Sequence, residues 1–316
     1  MGFDLTGLRR AVAAQGRVAR VVIAGVRGSS PRETGAAMLV WADGQSGTIG
    51  GGALEHAAAQ TAREMLAGGL PARISPHALG PDLGQCCGGS VQLLFETYDA
   101  ARLTLLEGQE MIARPMTADT TMPLAVRRLL ARARGMGLPP EAGLVEGWMI
   151  EPLHRPAHPV WIWGAGHVGR ALVGVLAPLP DVALTWIDTA PDRFPDAPPP
   201  EATILPAAKP ERLIPHAPAN AHHLVLTYSH ALDLELCHGL LSHGFASAGL
   251  IGSATKWARF RSRLAALGHS PGQIARIRCP IGDPALGKHP QAIALSVSAA
   301  LLGDIAVPGN RKEQTA

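Results

Sequence analysis

A glycine-spaced turn, Gly164-x-Gly166-x-x-Gly169, leaves few folds open to the C-terminal half of this chain. It directly follows an apolar run (VWIW, residues 160–163) and opens a stretch with helical character (residues 170–176). Asp188 lies nineteen residues beyond Gly169, at the end of the next strand-like run, residues 183–188. Strand, glycine turn, helix, strand and a terminal acid form the context that separates a dinucleotide fingerprint from a chance glycine pattern. The glycines permit a tight turn and let a pyrophosphate approach the helix N-terminus, and Asp188 would accept from a ribose hydroxyl. NAD(P) is therefore one candidate ligand.

The same rhythm continues. Residues 224–227 and 248–251 read as strands, residues 231–243 and 256–267 as helices, and the apolar stretch 292–302 as a core helix. Strands alternating with helices imply a doubly wound parallel sheet, so residues 158–316 are expected to form a Rossmann-like domain. Residues 1–100 carry a different pattern. Residues 18–26 (VARVVIAGV) read as a buried strand, 37–41 and 90–98 as further strands, and the alanine-rich 53–67 as a helix closed by Gly68-Gly69. This is an α/β N-terminal domain. Residues 101–157, where one amphipathic helix (124–134) is followed by repeated Gly and Pro, are expected to be a helical connecting region.

Composition narrows the function. The 316 residues suit about two domains, with 47% hydrophobic and 17% charged residues, a formal charge of +3 and 4% aromatics. Residues 1–99 hold eight Arg, no Lys and eight Asp or Glu. With no basic face and little to stack on bases, nucleic-acid binding is discounted. The N-terminus lacks the pattern of a secretory signal, and its loose myristoylation match, Met-Gly-x-x-x-Thr, reads better as Thr6 capping a first helix. No apolar run is long enough to span a bilayer, and the expected location is cytoplasmic. Cysteines at 86, 87, 237 and 279 have no metal-binding or disulfide-framework spacing and are expected to be reduced.

Three polar, glycine-rich turns in the N-terminal domain carry the candidate chemistry: residues 25–38, 47–55 and 83–91. Gly50, Gly51 and Gly52 stand just before a helix, where amides and dipole favour an anion. Arg27, Gly28, Ser29, Ser30 and Arg32 would add donors to phosphate or carbonyl oxygens. Glu55 reads as a base, a ligand acceptor or a partner of the helix dipole. Cys87, followed by Gly88 and Gly89, is the one place for soft-ligand chemistry, since glycine amides lower a thiol pKa; the alternative is an inert structural cysteine. His222, His223, His230, His238 and His243 have no zinc spacing on one face and read as scattered surface histidines, so no protein-ligated metal and no catalytic triad is expected.

Taken together, GSSPRETGAAMLV, GTIGGGALE, CCGGSVQLLFE, VWIWGAGHVGRAL, LIGSATKWARF and PIGDPALGKHPQAIALSVSAALL resemble the XdhC/CoxI family, in order and over most of the chain outside residues 100–156. The resemblance implies a non-enzymatic chaperone that binds and protects the molybdenum cofactor (molybdopterin) as cargo. It implies support for exchange of an oxo for a terminal sulfido ligand, with a cysteine desulfurase as donor, and delivery to apo xanthine dehydrogenase. Molybdenum cofactor biosynthesis proteins and a second copy in a homodimer are the further partners implied. Gly28 to Arg32, Gly50 to Gly52, Glu55 and Cys87 to Gly89 match the family pattern and are the candidate ligand contacts. The alternative is an NAD(P)-binding oxidoreductase using Gly164, Gly166, Gly169 and Asp188.

Overall fold

A computed structural model describes residues 2–80, 88–116, 121–137 and 139–306. It divides into two compact units, Met1–Arg155 and Pro156–Ala316. Among the described residues no helix is long and apolar enough to cross a membrane.

The first unit is built on a five-stranded antiparallel sheet of β1 (Val18–Arg27), β2 (Ala37–Val40), β3 (Gln45–Gly47), β4 (Ala72–Ala78) and β5 (Ser90–Tyr98), ordered β3-β2-β1-β5-β4. Strand β1 is buried on both faces, which explains its unbroken apolar run. Val21 and Ile23 meet Leu54, Ala58, Ala59, Ala62 and Met65 of helix α2 (Gly52–Gly68) on one side. The alanines on that helical face let it lie close to the sheet. Val22, Ala24 and Leu94 point the other way and pack on Met149. A preceding helix, α1 (Leu5–Gln15), is capped by Asp4 rather than Thr6, with the Asp4 carboxylate accepting from Gly7 N at 2.8 Å.

Met149 belongs to the largest departure from the sequence-based expectation. Residues 101–157 are not a helical connection. After the short α3 (Ala100–Thr104), they form an antiparallel sheet of β6 (Met111–Pro115), β7 (Gly143–Val145) and β8 (Trp148–Pro152), ordered β6-β8-β7, together with helix α4 (Leu124–Met136). Met149 and Glu151 of β8 face the larger sheet, whereas Trp148 and Ile150 pack on Val126 of α4. The first unit is thus layered as α2, five strands, three strands, α4. Its two sheets are joined by a buried charge cluster. Arg20 of β1 makes a two-pronged pair with Glu151 at 2.7 and 3.0 Å, and Arg114 of β6 bonds Glu151 at 2.5 Å and Glu96 of β5 at 2.8 Å. Phe3 lies under both guanidinia, at 4.3 Å from Arg20 and 5.2 Å from Arg114.

The second unit is a six-stranded parallel sheet of β9 (His158–Trp163), β10 (Val182–Asp188), β11 (Ala202–Pro206), β12 (His222–Val225), β13 (Ser247–Leu250) and β14 (Ile277–Arg278). Its order, β11-β10-β9-β12-β13-β14, reverses between β9 and β12, as in a Rossmann-type doubly wound fold. Val160 and Ile162 face α5 (His167–Leu176) and α9 (Pro290–Ala306). Trp161 and Trp163 face α6 (His230–His243) and α7 (Ala254–Ala266), and a short α8 (Pro271–Ile274) precedes β14. The mixed α/β architecture matches the expected fold class.

His222 and His223 are buried on β12, which corrects their reading as surface histidines. A polar pair inside a strand gives no periodic signal for burial. Trp163 Nε1 donates to His223 Nδ1 at 3.1 Å, and burial, reinforced by His243 and His222, pushes the His223 imidazole down to about 3. The folded state therefore holds it neutral while the unfolded chain takes up a proton below 6.5. A depressed histidine contributes stability that is complete above the unfolded value and lost as pH falls. Acidification from pH 7.5 to 5 should remove roughly 2 kcal/mol through this residue alone. Denaturant titrations of wild type and His223→Gln, which keeps an acceptor for Trp163, should diverge in their pH slopes; parallel slopes would exclude the effect.

Candidate functional site

The turns 25–38 and 47–55 of the first unit, and the described end of the third, residues 88–91, meet at one end of its five-stranded sheet. Register pairs Arg27 with Ser90 and Val26 with Val91, so the segment entering β5 runs beside the end of β1. Leu79 N donates to Gly89 O at 2.9 Å and fixes that segment to the end of β4. Gly89 has no room for a side chain: an added Cβ would sit 2.2 Å from Ser29 O and 2.7 Å from Arg27 O, both backbone atoms. The 47–55 turn closes in from the other side, where a Cβ on Gly50 would lie 2.7 Å from the Pro31 ring. Residues 25–38 thus touch both other turns. They border a shallow cavity of about 470 Å³, lined by Val26, Gly28, Ser30, Pro31, Arg32, Glu33 and Thr34.

Within this cluster the polar side chains divide between bracing the loops and facing outward. Ser30 Oγ donates to Arg32 O at 2.8 Å, which tightens the turn. Arg32 pairs with Glu33 at 3.4 Å, and a backbone hydrogen bond, then Arg32, hold the Glu33 carboxyl below its ordinary value. Arg27, Gly28 and Ser29 are exposed. Cys86 and Cys87 lie outside the described residues; Gly88, next in sequence to Cys87, is exposed and Gly89 is buried.

Glu55 has a different task from the anion-holding role expected of its turn. Its carboxylate accepts from Thr48 Oγ1 at 2.6 Å, from Ile49 N and Gly51 N at 3.0 Å, and from Gln45 Nε2 at 3.2 Å. Partial burial would raise its pKa, but the four donors outweigh that and lower it. Gly50 N is also taken, by Thr48 Oγ1 at 3.0 Å. The negative charge that the α2 N-terminus attracts is therefore supplied from within the chain. Thr48, Gln45, Pro31, Glu33 and Thr34 are site residues that sequence reasoning passed over. Thr48, seven positions before Glu55, resembles a loop-to-helix brace, but nothing local marks the others.

In the second unit, the Gly164 turn takes the expected form. Gly164 N donates to Ile187 O at 2.8 Å, and a Cβ on Gly169 would lie 2.1 Å from Gly164 O, so α5 packs directly on the turn. Gly166 caps α5. Asp188 is where the expectation changes. It is 4% exposed, and its oxygens accept from Ala165 N at 2.6 Å and from Thr189 N and Oγ1 at 2.6 and 3.0 Å. Arg193 lies 3.5 Å from it and stacks on the Tyr228 ring at 5.0 Å. Asp188 thus braces the glycine turn, with both carboxylate oxygens accepting hydrogen bonds from Ala165 and Thr189.

Among the described residues no group of three His, Cys, Asp or Glu side chains is arranged to hold a metal ion. His238 Nδ1 meets His269 Nε2 at 2.7 Å, and His243 bonds Ala217 O at 2.8 Å. Burial pushes the Cys237 thiol up to about 12 and Cys279 up to about 11, which keeps both protonated near neutral pH.

These two units match known families separately. A family model described as the XdhC Rossmann domain matches residues 160–301, and one described as the XdhC and CoxI family matches residues 11–75. The Escherichia coli (strain K12) protein YqeB is 27% identical over 288 residues, covering 87% of this chain and 41% of YqeB. The chain therefore spans less than half the length of that relative. A crystal structure from Bacillus halodurans, described as a xanthine dehydrogenase, aligns with a TM-score of 0.66 at 20% identity, over 99% of this chain and 98% of that one. At that identity the likeness speaks for the fold. With family models on both units, in order, the chain belongs to the XdhC and CoxI family.

Proposed function

We propose that the chain acts in xanthine dehydrogenase maturation as an accessory protein. It binds and protects the molybdenum cofactor, supports its sulfuration by a cysteine desulfurase, and delivers it to the apo-enzyme. The observation that carries this reading is an open cavity lined by residues 26–34, with backbone groups and Arg32 at its rim, on a turn that Gly89 and Gly50 approach closely from two sequence-distant segments. The cargo combines a phosphate, a polar pterin and a metal held by its own dithiolene sulfurs. A rim of amides, hydroxyls and guanidinium suits the first two, and Cys87 offers a soft contact to the third. Arg27, Gly28, Ser29, Ser30, Arg32, Gly88 and Gly89 are the proposed contacts. Gly50, Gly51 and Gly52, in a turn braced by Glu55 through Gly51 and by Thr48 through Gly50, stand beside them. A carrier has to release what it holds, and an open cavity with donors on loops favours release over permanent retention. An NAD(P)-dependent oxidoreductase is supported less well, because Asp188 already spends both oxygens on its own turn.

Mixing the purified chain with cofactor released from a molybdenum hydroxylase, followed by gel filtration, tests the reading. Pterin fluorescence and molybdenum should co-elute with the protein, and Cys87→Ala should lower the retained molybdenum several-fold with the fold unchanged by circular dichroism. Protein eluting free of pterin would end the proposal, and undiminished retention by the variant would remove Cys87 from it.

A further inference from the structure

We propose that the groove bounded by α7, α8 and β14 docks an acidic, extended segment of a partner protein, with arginines above an apolar floor and the open edge of β14 beside it. Residues 251–282 contain Lys256, Arg259, Arg261, Arg263, Arg276 and Arg278 and no Asp or Glu. Three of these cations are used in the fold. Lys256 bonds Asp233 at 2.6 Å, Arg278 bonds Asp304 at 2.8 Å, and Arg276 donates to Phe245 O at 3.1 Å while stacking on its ring. Arg259, Arg261 and Arg263 are exposed along α7, and among the described residues no acidic side chain pairs with them.

That charge borders a groove of about 760 Å³. Trp257, Ile274 and Ile277 supply its apolar lining, and Arg261 its uncompensated charge, beside Arg278, which Asp304 already holds. Arginine and tryptophan together are the residues that interfaces favour, since each buries a broad planar surface while keeping a polar handle. Strand β14 is the last strand of its sheet and pairs only with β13 among the described residues. An extended segment laid along its free edge would gain main-chain hydrogen bonds. Its side chains would alternate between the apolar floor and the arginines. Acidic residues at every second position complete the match and steer encounter. A nucleic acid fits less well, because only two arginines reach the groove and much of the rest is apolar, whereas phosphate chains rely on many cations. The inference stands on the second unit alone and does not depend on cargo binding at the other.

The test uses the full chain and a fluorescein-labelled eight-residue peptide alternating glutamate and valine, followed by anisotropy. The peptide should bind, a lysine–valine counterpart should not, and Arg261→Glu should weaken binding at least tenfold. Arg263→Glu, which changes the same charge outside the groove, should stay within about threefold. Equal binding by wild type and Arg261→Glu would overturn the proposal. So would a single-stranded 20-nucleotide RNA that binds more tightly than the peptide and is lost in Arg261→Glu. Self-association in sedimentation equilibrium that disappears in Arg261→Glu would likewise overturn it, by making a second copy the occupant.

Discussion

Glu151→Ala is expected to destabilise the first unit by about 3–5 kcal/mol, the loss typical when one member of a buried ion cluster is removed. Glu151 is fully buried, and it is the acceptor shared by Arg20 and Arg114, which are 2% and 8% exposed. Deleting the carboxylate leaves two guanidinia out of water: Arg114 with Glu96, the Ile112 carbonyl and the Phe3 ring, and Arg20 with the Phe3 ring. Uncompensated buried charge is the dominant cost; the pair itself contributes far less than its removal takes away. For a unit of this size the thermal midpoint should fall by roughly 6–20 °C. A shift under 2 °C in a calorimetric scan of the purified variant would show that the cluster is a passive contact.

The same cluster sets an acid limit with a defined direction. Burial would raise the Glu151 carboxyl, but Arg20 and Arg114, through charge and hydrogen bonds, more than offset that and hold it below 4.5. A depressed carboxyl contributes stability that is complete above the unfolded value and lost as pH falls through the folded one. The acid loss from Glu151 therefore begins below 4.5, lower than the window in which His223 acts. The two windows separate the units: mild acid weakens the second through a buried neutral histidine, and stronger acid the first through a buried carboxylate.

This cluster also explains why part of the fold was not legible in the sequence. In β6 and β8, the inward positions where alternation leads one to expect apolar side chains hold Arg114 and Glu151. A paired buried charge looks like a surface residue until its partner is located, and here the partners are 131 and 37 positions apart. The parallel sheet was legible because glycine turns punctuate it and its strands are short apolar runs. At the candidate site the turns could be read, but not their convergence, which depends on pairing β1 with β5 across more than sixty residues. Glu55 and Asp188 show a second limit. Residue type and position beside a glycine turn identify an acceptor, yet both carboxylates spend that capacity on their own backbone. Only the folded geometry separates an acceptor that braces a loop from one that waits for a ligand.

Gly89→Ala carries the largest effect expected at the candidate site itself. The new Cβ would start 2.2 Å from Ser29 O and 2.7 Å from Arg27 O. Both are main-chain atoms, so no side chain can rotate away, and the 27–31 segment must move or the start of β5 must. Overpacking of this kind costs typically about 1–3 kcal/mol. The more specific consequence is geometric. The moved segment contains Ser29, Ser30 and Pro31, so the cavity rim and the Gly50–Pro31 contact would be lost together. Cofactor retention should fall at least tenfold, and amide exchange should speed up over residues 27–32 while the β12 and β13 amides of the second unit stay protected. Gly68→Ala, in α2 and outside the proposed contacts, supplies the control, because its added Cβ meets no atom within 4 Å. It should fold within about 0.5 kcal/mol of wild type and retain cofactor equally well. If both variants keep wild-type retention while Gly89→Ala still shows faster exchange in the loop, the meeting of the three turns is structural, and the cargo has to be sought elsewhere in the first unit.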